Sequence, residues 1–146
     1  MSIPIANIRD VHAAEAVIHG HVSSAPLIRS CALEKVLDLP PDRRVWLKDY
    51  GWTPSGSFKL LGALNWMANN LERIGSRPVA AHSSGNFASG IAFAGMRYGK
   101  RVIVVMAHPD NIKLIDELTL ITGYRITPKV STHTELMKKL EELTLK

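Results

Sequence analysis

Apolar positions recur every three to four residues in several parts of the chain, which is the spacing of helices with one buried face. From Ser57 onward, for example, Leu60, Leu64 and Met67 fall on one side of a helix. Near the C-terminus, Glu135 follows Thr132 at the spacing of a capping box. We therefore predict helices over 7–19, after Ser30, from Ser57, over 87–98, over 109–120 and after Thr132.

Short apolar segments without helical periodicity lie between these helices. Residues 102–106 read VIVVM, mostly β-branched, as in a strand that is covered on both faces. Strands that alternate with helices imply parallel pairing with right-handed crossovers. The fold class we expect is α/β, a single domain over 1–146 with helices packed on a mostly parallel sheet of about four strands. The predicted strands are 44–48, 78–82, 102–106 and 124–130.

Composition is that of an ordinary globular protein, with 146 residues, 46% hydrophobic and 21% charged. The one cysteine, Cys31, cannot form an internal disulfide, and no Cys/His spacing of a zinc site is present, so we expect no metal. No apolar run approaches the ~20 residues of a membrane helix, and the first residues lack a signal-peptide pattern. We predict a cytoplasmic protein with no membrane partner.

The chain is basic, with 18 Lys and Arg against 13 Asp and Glu and a net charge of +5. A positive charge of this size could attract nucleic acid or anionic cofactors. The basic residues are scattered, however, and no aromatic residues interleave with them as in a single-strand binding platform. We interpret them as a solvated surface and expect no nucleic-acid partner.

Two turns between strands and helices carry candidate chemistry. Pro54-Ser55-Gly56-Ser57-Phe58-Lys59 places Lys59 in the first turn of a helix, where the helix dipole favours the neutral, nucleophilic amine over the ammonium. Ser83-Ser84-Gly85-Asn86 follows a strand and opens a helix, so its N–H groups and hydroxyls could bind an anion, and Gly85 allows close approach. Taken singly, a lysine reaching into water and a plain helix cap are the alternatives.

Together the two turns resemble the fold-type-II pyridoxal-phosphate enzymes, the group of threonine dehydratase, serine racemase, threonine synthase and cysteine synthase. The family motifs P-T/S-G-S-F-K and S-S-G-N-H-A-x-G fall on 54–59 and 83–90, and the resemblance covers 1–106. It implies pyridoxal 5'-phosphate bound to catalytic Lys59 as a Schiff base, with Phe58 and Asn86 as further cofactor contacts. It also implies that Ser83, Ser84, Gly85 and Asn86 hold the carboxylate of a small amino-acid substrate.

The chain departs from this family in several places. Phe87 stands where a histidine is usual and Ser89 where a glutamine is common. Family members are much longer, and their glycine-rich phosphate loop has no counterpart here. We therefore expect a truncated form of the fold with weak or no turnover. The missing half could come from a partner chain. Without it, Trp52 could become exposed and promote formation of a homo-oligomer.

Residues 107–146 carry a PDN turn at 109–111, a helix that ends in LITGYR at 120–125, then Pro128 and Val130 and a capped helix. In this pattern they resemble instead the N-terminal domain of type II secretion and type IV pilus assembly ATPases, although the chain has no P-loop. Two origins stay open, a natural or engineered chimera and an unusual truncated family member. Two functions stay open as well. One is a pyridoxal-phosphate-dependent lyase, dehydratase or racemase that acts on small amino acids, and the other is a non-catalytic α/β folding or assembly domain.

Overall fold

The computed structural model describes residues 5–106, 108 and 110–144. Helices and strands alternate through most of this range, as the sequence predicts. The strands are β1 (Leu27–Arg29), β2 (Trp46–Lys48), β3 (Val79–His82) and β4 (Val102–Val105). The helices are α1 (Ile8–His19), α2 (Cys31–Val36), α3 (Lys59–Ala68), α4 (Leu71–Ile74), α5 (Asn86–Arg97), α6 (Ile112–Thr122) and α7 (His133–Thr144), with a 3₁₀ turn at Tyr50–Trp52.

The strands form two small sheets. β3 and β4 pair in parallel, with Val79 opposite Val102, and α5 is the crossover between them. β1 and β2 pair antiparallel, with Ile28 opposite Leu47. The predicted α/β class is confirmed by this arrangement of helices and small sheets.

The expectation of one sheet with about four strands was wrong in its details. The described residues contain two sheets of two strands each, and β1 was not predicted. The segment 124–130 forms no strand, and Tyr124 and Val130 are exposed. Pro128 has no N–H for a ladder, and without a buried face the remaining apolar residues gain little from pairing.

Side-chain caps define several helix ends. Asn7 caps α1 by accepting hydrogen bonds from the N–H groups of Arg9 and Asp10, and Ser30 caps α2 as predicted. α6 begins after Asn111, whose side chain accepts from Leu114 N; Pro109, the predicted start, lies outside the described residues. The predicted capping box of α7 is confirmed, since Thr132 Oγ1 accepts from Glu135 N at 3.2 Å and Glu135 accepts from Thr132 N at 3.3 Å.

The core lies where α3 and α5 pack together beside β3. Leu60, Leu64 and Met67 on α3 are fully buried, and Ile91 and Ala94 on α5 face them. Each large apolar side chain removed from water in this way contributes about 1.5–3 kcal/mol. The same packing fixes the first turns of both helices relative to each other.

Among the described residues, no helix is long and apolar enough to cross a membrane. In the same part of the chain, no three His, Cys, Asp or Glu side chains gather as a metal site would require. Cys31 is the first residue of α2 and is exposed.

Candidate functional site

Lys59 is the first residue of α3 and follows a loop whose backbone is tightly constrained. Gly56 takes a φ of +60°, a conformation that side chains with a Cβ rarely adopt, and its N–H donates to Thr53 O at 2.8 Å. Ser57 Oγ accepts a hydrogen bond from Lys59 N at 3.2 Å. These hydrogen bonds therefore fix the position of the Lys59 backbone at the surface.

Three hydroxyl side chains of this loop are buried, namely those of Thr53, Ser55 and Ser57. Thr53 Oγ1 donates to Tyr50 O at 2.8 Å and accepts from Ser57 N at 3.0 Å, while Ser55 Oγ donates to Ser57 O at 3.4 Å. The sequence motif includes both serines, but our sequence analysis gave none of the three hydroxyls a role. The signal that could have identified them is their clustering within five residues of a loop.

The Lys59 side chain is exposed and rests against an aromatic ring. Its Nζ lies 5.0 Å from the centroid of the Phe58 ring, within the range of a cation–π contact. The Tyr50 ring meets the Phe58 ring edge to face, with centroids 6.4 Å apart. Phe58 itself is 57% exposed, so a planar ligand could still reach both Phe58 and Lys59.

The second turn joins β3 to α5. Ser83 N donates to Val105 O at 3.1 Å, so the turn begins where the parallel strands end. Ser83 Oγ accepts from Gly85 N at 3.3 Å, and Gly85 is the N-cap of α5, with no side chain to cap the helix. Ser84, Gly85 and Asn86 are exposed. A Cβ built on Gly85 would meet no atom within 4 Å, so the space beside the start of α5 is open to a ligand.

At Gly90, the helices that follow the two turns contact each other. A Cβ built on Gly90 would stand 3.2 Å from Leu60 N and 3.3 Å from Lys59 C, so α5 contacts the backbone of the first turn of α3. Asn86 lies four residues earlier, which is about 6 Å along the helix axis. The structure thus brings the starts of α3 and α5 together, with Lys59 at one and Asn86 at the other.

A cleft of about 620 Å³ opens beside the Lys59 loop. Trp52 and Pro54 line one side and residues 21–26 the other. Trp52 is 77% exposed. The cleft lets solvent and small molecules approach the loop beside Trp52 and Pro54.

The sequence profile of the pyridoxal-phosphate dependent enzyme family matches residues 18–141. The chain belongs to this family. The match passes through both turns and most of 107–146, the segment that resembles a secretion ATPase. An ATPase origin of that segment therefore stays a prediction.

Individual relatives agree with the family assignment. The chain is 32% identical over 134 residues to tryptophan synthase beta chain 2 from Aeropyrum pernix, covering 90% of this chain and 29% of the relative. It is 31% identical over 99 residues to L-threonine ammonia-lyase from Thermotoga maritima, covering 68% of this chain and 24% of the relative. The crystal structure of a pyridoxal 5'-phosphate-dependent aspartate racemase superimposes with a TM-score of 0.75 at 26% identity, covering 96% of this chain and 44% of that one.

The chain therefore spans less than half the length of each of these relatives. Members of the family depend on pyridoxal phosphate. The residues of this chain fit the aldehyde and ring of that cofactor, because an exposed lysine, an exposed aromatic ring and the open start of α5 lie at one junction.

Proposed function

We propose that this chain forms the lysine-bearing part of a pyridoxal-phosphate-dependent lyase, dehydratase or racemase that acts on a small amino acid. The observation that supports the proposal is the junction at Gly90, where the first turns of α3 and α5 contact each other. Because Lys59 begins α3 and Asn86 begins α5, that contact supports a covalent anchor and a carboxylate site at one location. The aspartate racemase and threonine ammonia-lyase similarities support the choice of reaction classes.

In this proposal, each residue has a distinct role. Lys59 Nζ would hold the cofactor through its aldehyde carbon, and Phe58 and Asn86 would be further contacts to its ring. The hydroxyls of Ser83 and Ser84 and the N–H groups of Gly85 and Asn86 bind the substrate carboxylate, which the positive end of the α5 dipole also attracts. The long Gly85–Ser83 hydrogen bond of 3.3 Å is the one that a carboxylate would replace.

When bound, the cofactor supplies an electron sink that stabilises negative charge at the substrate Cα. The protein's part is to hold the amino acid in one orientation and to move a proton. As a free amine, Lys59 would be the base that accepts the α-proton and returns it. Return of the proton to the opposite face of Cα would be racemase chemistry. Loss of a β-substituent would be lyase chemistry.

We further propose that turnover by this chain alone is weak or absent. Our sequence analysis found no glycine-rich phosphate loop, and a phosphate held by such a loop receives several charge-assisted hydrogen bonds of about 1.5–3 kcal/mol each. Pyridoxal and pyridoxal phosphate should then label Lys59 with similar affinity, since the phosphate adds no contact.

The second candidate function is a non-catalytic assembly domain, alone as a homo-oligomer or with a partner chain. The exposed fractions of Trp52 (77%) and Trp46 (54%) favour it, because large exposed aromatic side chains are typical of interaction surfaces. A secretion-ATPase origin of 107–146 would fit this candidate. The family match through residue 141 supports a single origin instead.

Cofactor labelling tests the first proposal directly. The purified protein is titrated with pyridoxal phosphate, treated with borohydride and mapped by peptide mass spectrometry. Lys59→Ala removes the proposed anchor, and Lys113→Ala is the matched control, since Lys113 is an exposed lysine in the first turn of α6. We expect one label per chain on Lys59, lost in Lys59→Ala and kept in Lys113→Ala. A label spread over many lysines and unchanged in Lys59→Ala would favour the assembly domain.

A further inference from the structure

Thr53 is buried in a loop whose neighbouring residues are not. It is 6% exposed, while Trp52 before it is 77% exposed and Pro54 after it is also exposed. The burial of a polar side chain between two exposed residues requires that its hydroxyl be satisfied inside the protein. The hydrogen-bond partners of the Thr53 hydroxyl therefore account for the burial of this side chain.

Thr53 closes the Lys59 loop at two points. Its carbonyl accepts a hydrogen bond from Gly56 N at 2.8 Å, and its Oγ1 accepts one from Ser57 N at 3.0 Å. The same Oγ1 donates to Tyr50 O at 2.8 Å, and Ser57 O lies 3.2 Å away. One side chain thus joins the 3₁₀ turn before the loop to the last loop residues before α3.

Two routes lead from Thr53 to Lys59. Along the backbone, Ser57 is held by Thr53, and Ser57 Oγ accepts from Lys59 N at 3.2 Å. Through the rings, the backbone of Tyr50 is held by Thr53, the Tyr50 ring contacts the Phe58 ring, and the Phe58 ring contacts Lys59 Nζ. Both the main chain and the side chain of Lys59 are therefore linked to the Thr53 hydroxyl by these contacts.

We infer that Thr53 is a positioning residue that sets the orientation of Lys59 through its hydroxyl. The inference rests on the proposed function in giving Lys59 its role as the cofactor's anchor. Thr53→Val keeps the shape of the side chain but leaves the buried Ser57 N–H without its acceptor, so the loop must open to hydrate it. Thr53→Ser keeps the hydroxyl and should keep Lys59 in place.

The test uses two readouts on the full chain. The first is the share of the borohydride-fixed pyridoxal-phosphate label that falls on Lys59. The second needs no cofactor: after reductive methylation with ¹³C-formaldehyde, the NMR signal of dimethylated Lys59 reports its contact with the Phe58 ring as a ring-current shift. Thr122→Val is the matched control. Thr122, on α6, is also buried, and its hydroxyl donates to Leu118 O and accepts from Tyr124 N.

We expect Thr53→Val to abolish the ring-current shift and to lower labelling of Lys59 about tenfold, the effect of losing one buried hydrogen bond. Thr53→Ser and Thr122→Val should match the parent protein in both readouts. Ser57→Ala, which removes the acceptor of Lys59 N, should change both readouts in the direction of Thr53→Val. If Thr53→Val does not fold, the two readouts of Ser57→Ala test the inference in its place.

The outcomes separate this inference from the proposed function. If the parent protein does not label Lys59 selectively, the proposed function fails, and the ring-current shift alone decides the role of Thr53. A shift that survives in Thr53→Val, or in Ser57→Ala where Thr53→Val does not fold, would overturn the inference. Equal loss of the shift in Thr53→Ser and Thr53→Val would also overturn it, because the methyl group rather than the hydroxyl would then matter.

Discussion

Gly90 of α5 lies against Leu60 of α3 so closely that a Cβ on Gly90 would stand 3.2 Å from both Leu60 Cα and Leu60 N. The atoms in contact belong to the α3 backbone, which cannot move aside as the end of a flexible side chain can. A glycine here is therefore a condition for the junction of the two helix starts. The same contact lies beside the core and between the two helix starts that carry Lys59 and Asn86.

Gly90→Ala should destabilise the protein by about 1–3 kcal/mol, because the added methyl group overpacks the helix contact. Gly62→Ala is the control, since Gly62 lies within α3 and a Cβ there would meet nothing within 4 Å. That change should stabilise the protein by about 0.5–1 kcal/mol through helix propensity. Urea unfolding measures both. A Gly90→Ala variant as stable as Gly62→Ala would show that α5 can shift without cost.

Most helices could be predicted from the sequence because their determinants are local. Asn86 to Arg97 lies within one residue of the expected helix, and the Thr132–Glu135 capping box forms as expected. β1 could not be predicted, because three residues are too few to show periodicity and its partner is β2, far along the chain. The segment 124–130 was wrongly predicted as a strand, because its apolar residues suggested pairing although Pro128 cannot donate to a ladder and no buried face forms.

The candidate site, like the fold, could be predicted from the sequence only in part. The motifs pointed to Lys59 and Asn86, and the structure places both at the starts of helices that contact each other. The support behind Lys59 was not predicted, because the role of Thr53 depends on a hydroxyl that turns inward while its neighbours face solvent. Burial of a loop residue is a property of the tertiary structure.

The stability of the fold should depend on the protonation of His21. His21 Nδ1 accepts from Arg97 Nε at 3.2 Å and Nε2 lies 2.8 Å from Tyr98 Oη, so the ring is bound in its neutral form. Burial, and secondly the charge of Arg97, lower the pKa of His21 below its usual 6.5. The unfolded chain then takes up the proton first. The free energy of unfolding should fall as the pH drops below about 6.5 and stop falling below the folded-state pKa.

Urea unfolding at several pH values between about 5 and 8 measures this dependence. His21→Gln should remove the fall in stability that belongs to this site. His133→Gln, at the start of α7, is the control for deleting an exposed imidazole. If parent and His21→Gln lose stability in parallel on acidification, the lowered pKa of His21 has no part in folding.

Arg29 and Glu34 form the ion pair that joins β1 to α2. Arg29 Nε and Nη2 donate to the two Glu34 oxygens at 2.9 and 2.8 Å, and Glu34 also accepts from Val45 N at 3.1 Å. The Arg29 hydrogen bonds are the main cause that lowers the pKa of Glu34 from 4.5 to about 2. The resulting stabilisation is fully present above pH 4.5 and is lost as the pH falls through about 2.

Arg29→Gln should raise the pKa of Glu34 toward its ordinary value and narrow the acid range over which the protein is stable. A ¹³C NMR titration of the Glu34 carboxyl group gives the pKa directly. Arg9→Gln, on α1, changes net charge equally without touching this pair. A Glu34 pKa that responds equally to both substitutions would mean that overall charge, rather than the Arg29 contact, sets it.

Ser89 and Glu117 link α5 to α6 through one hydrogen bond. Ser89 Oγ donates to Glu117 Oε1 at 2.7 Å, and Ser89 is fully buried while Glu117 is exposed. Ser89→Ala removes the buried hydroxyl together with its bond and should cost about 0.5–1.5 kcal/mol. Glu117→Ala leaves that hydroxyl buried without this acceptor and should cost more, about 1–3 kcal/mol.

A double-mutant cycle measured by urea unfolding tests this asymmetry. The double variant should be no less stable than Ser89→Ala alone, because the carboxylate returns to water once the serine is gone. Glu117→Gln keeps an acceptor and should lose less than Glu117→Ala. If Ser89→Ala instead costs more than Glu117→Ala, the hydroxyl has a second acceptor within α5, such as the carbonyl one turn earlier. The link between the helices would then be packing rather than this hydrogen bond.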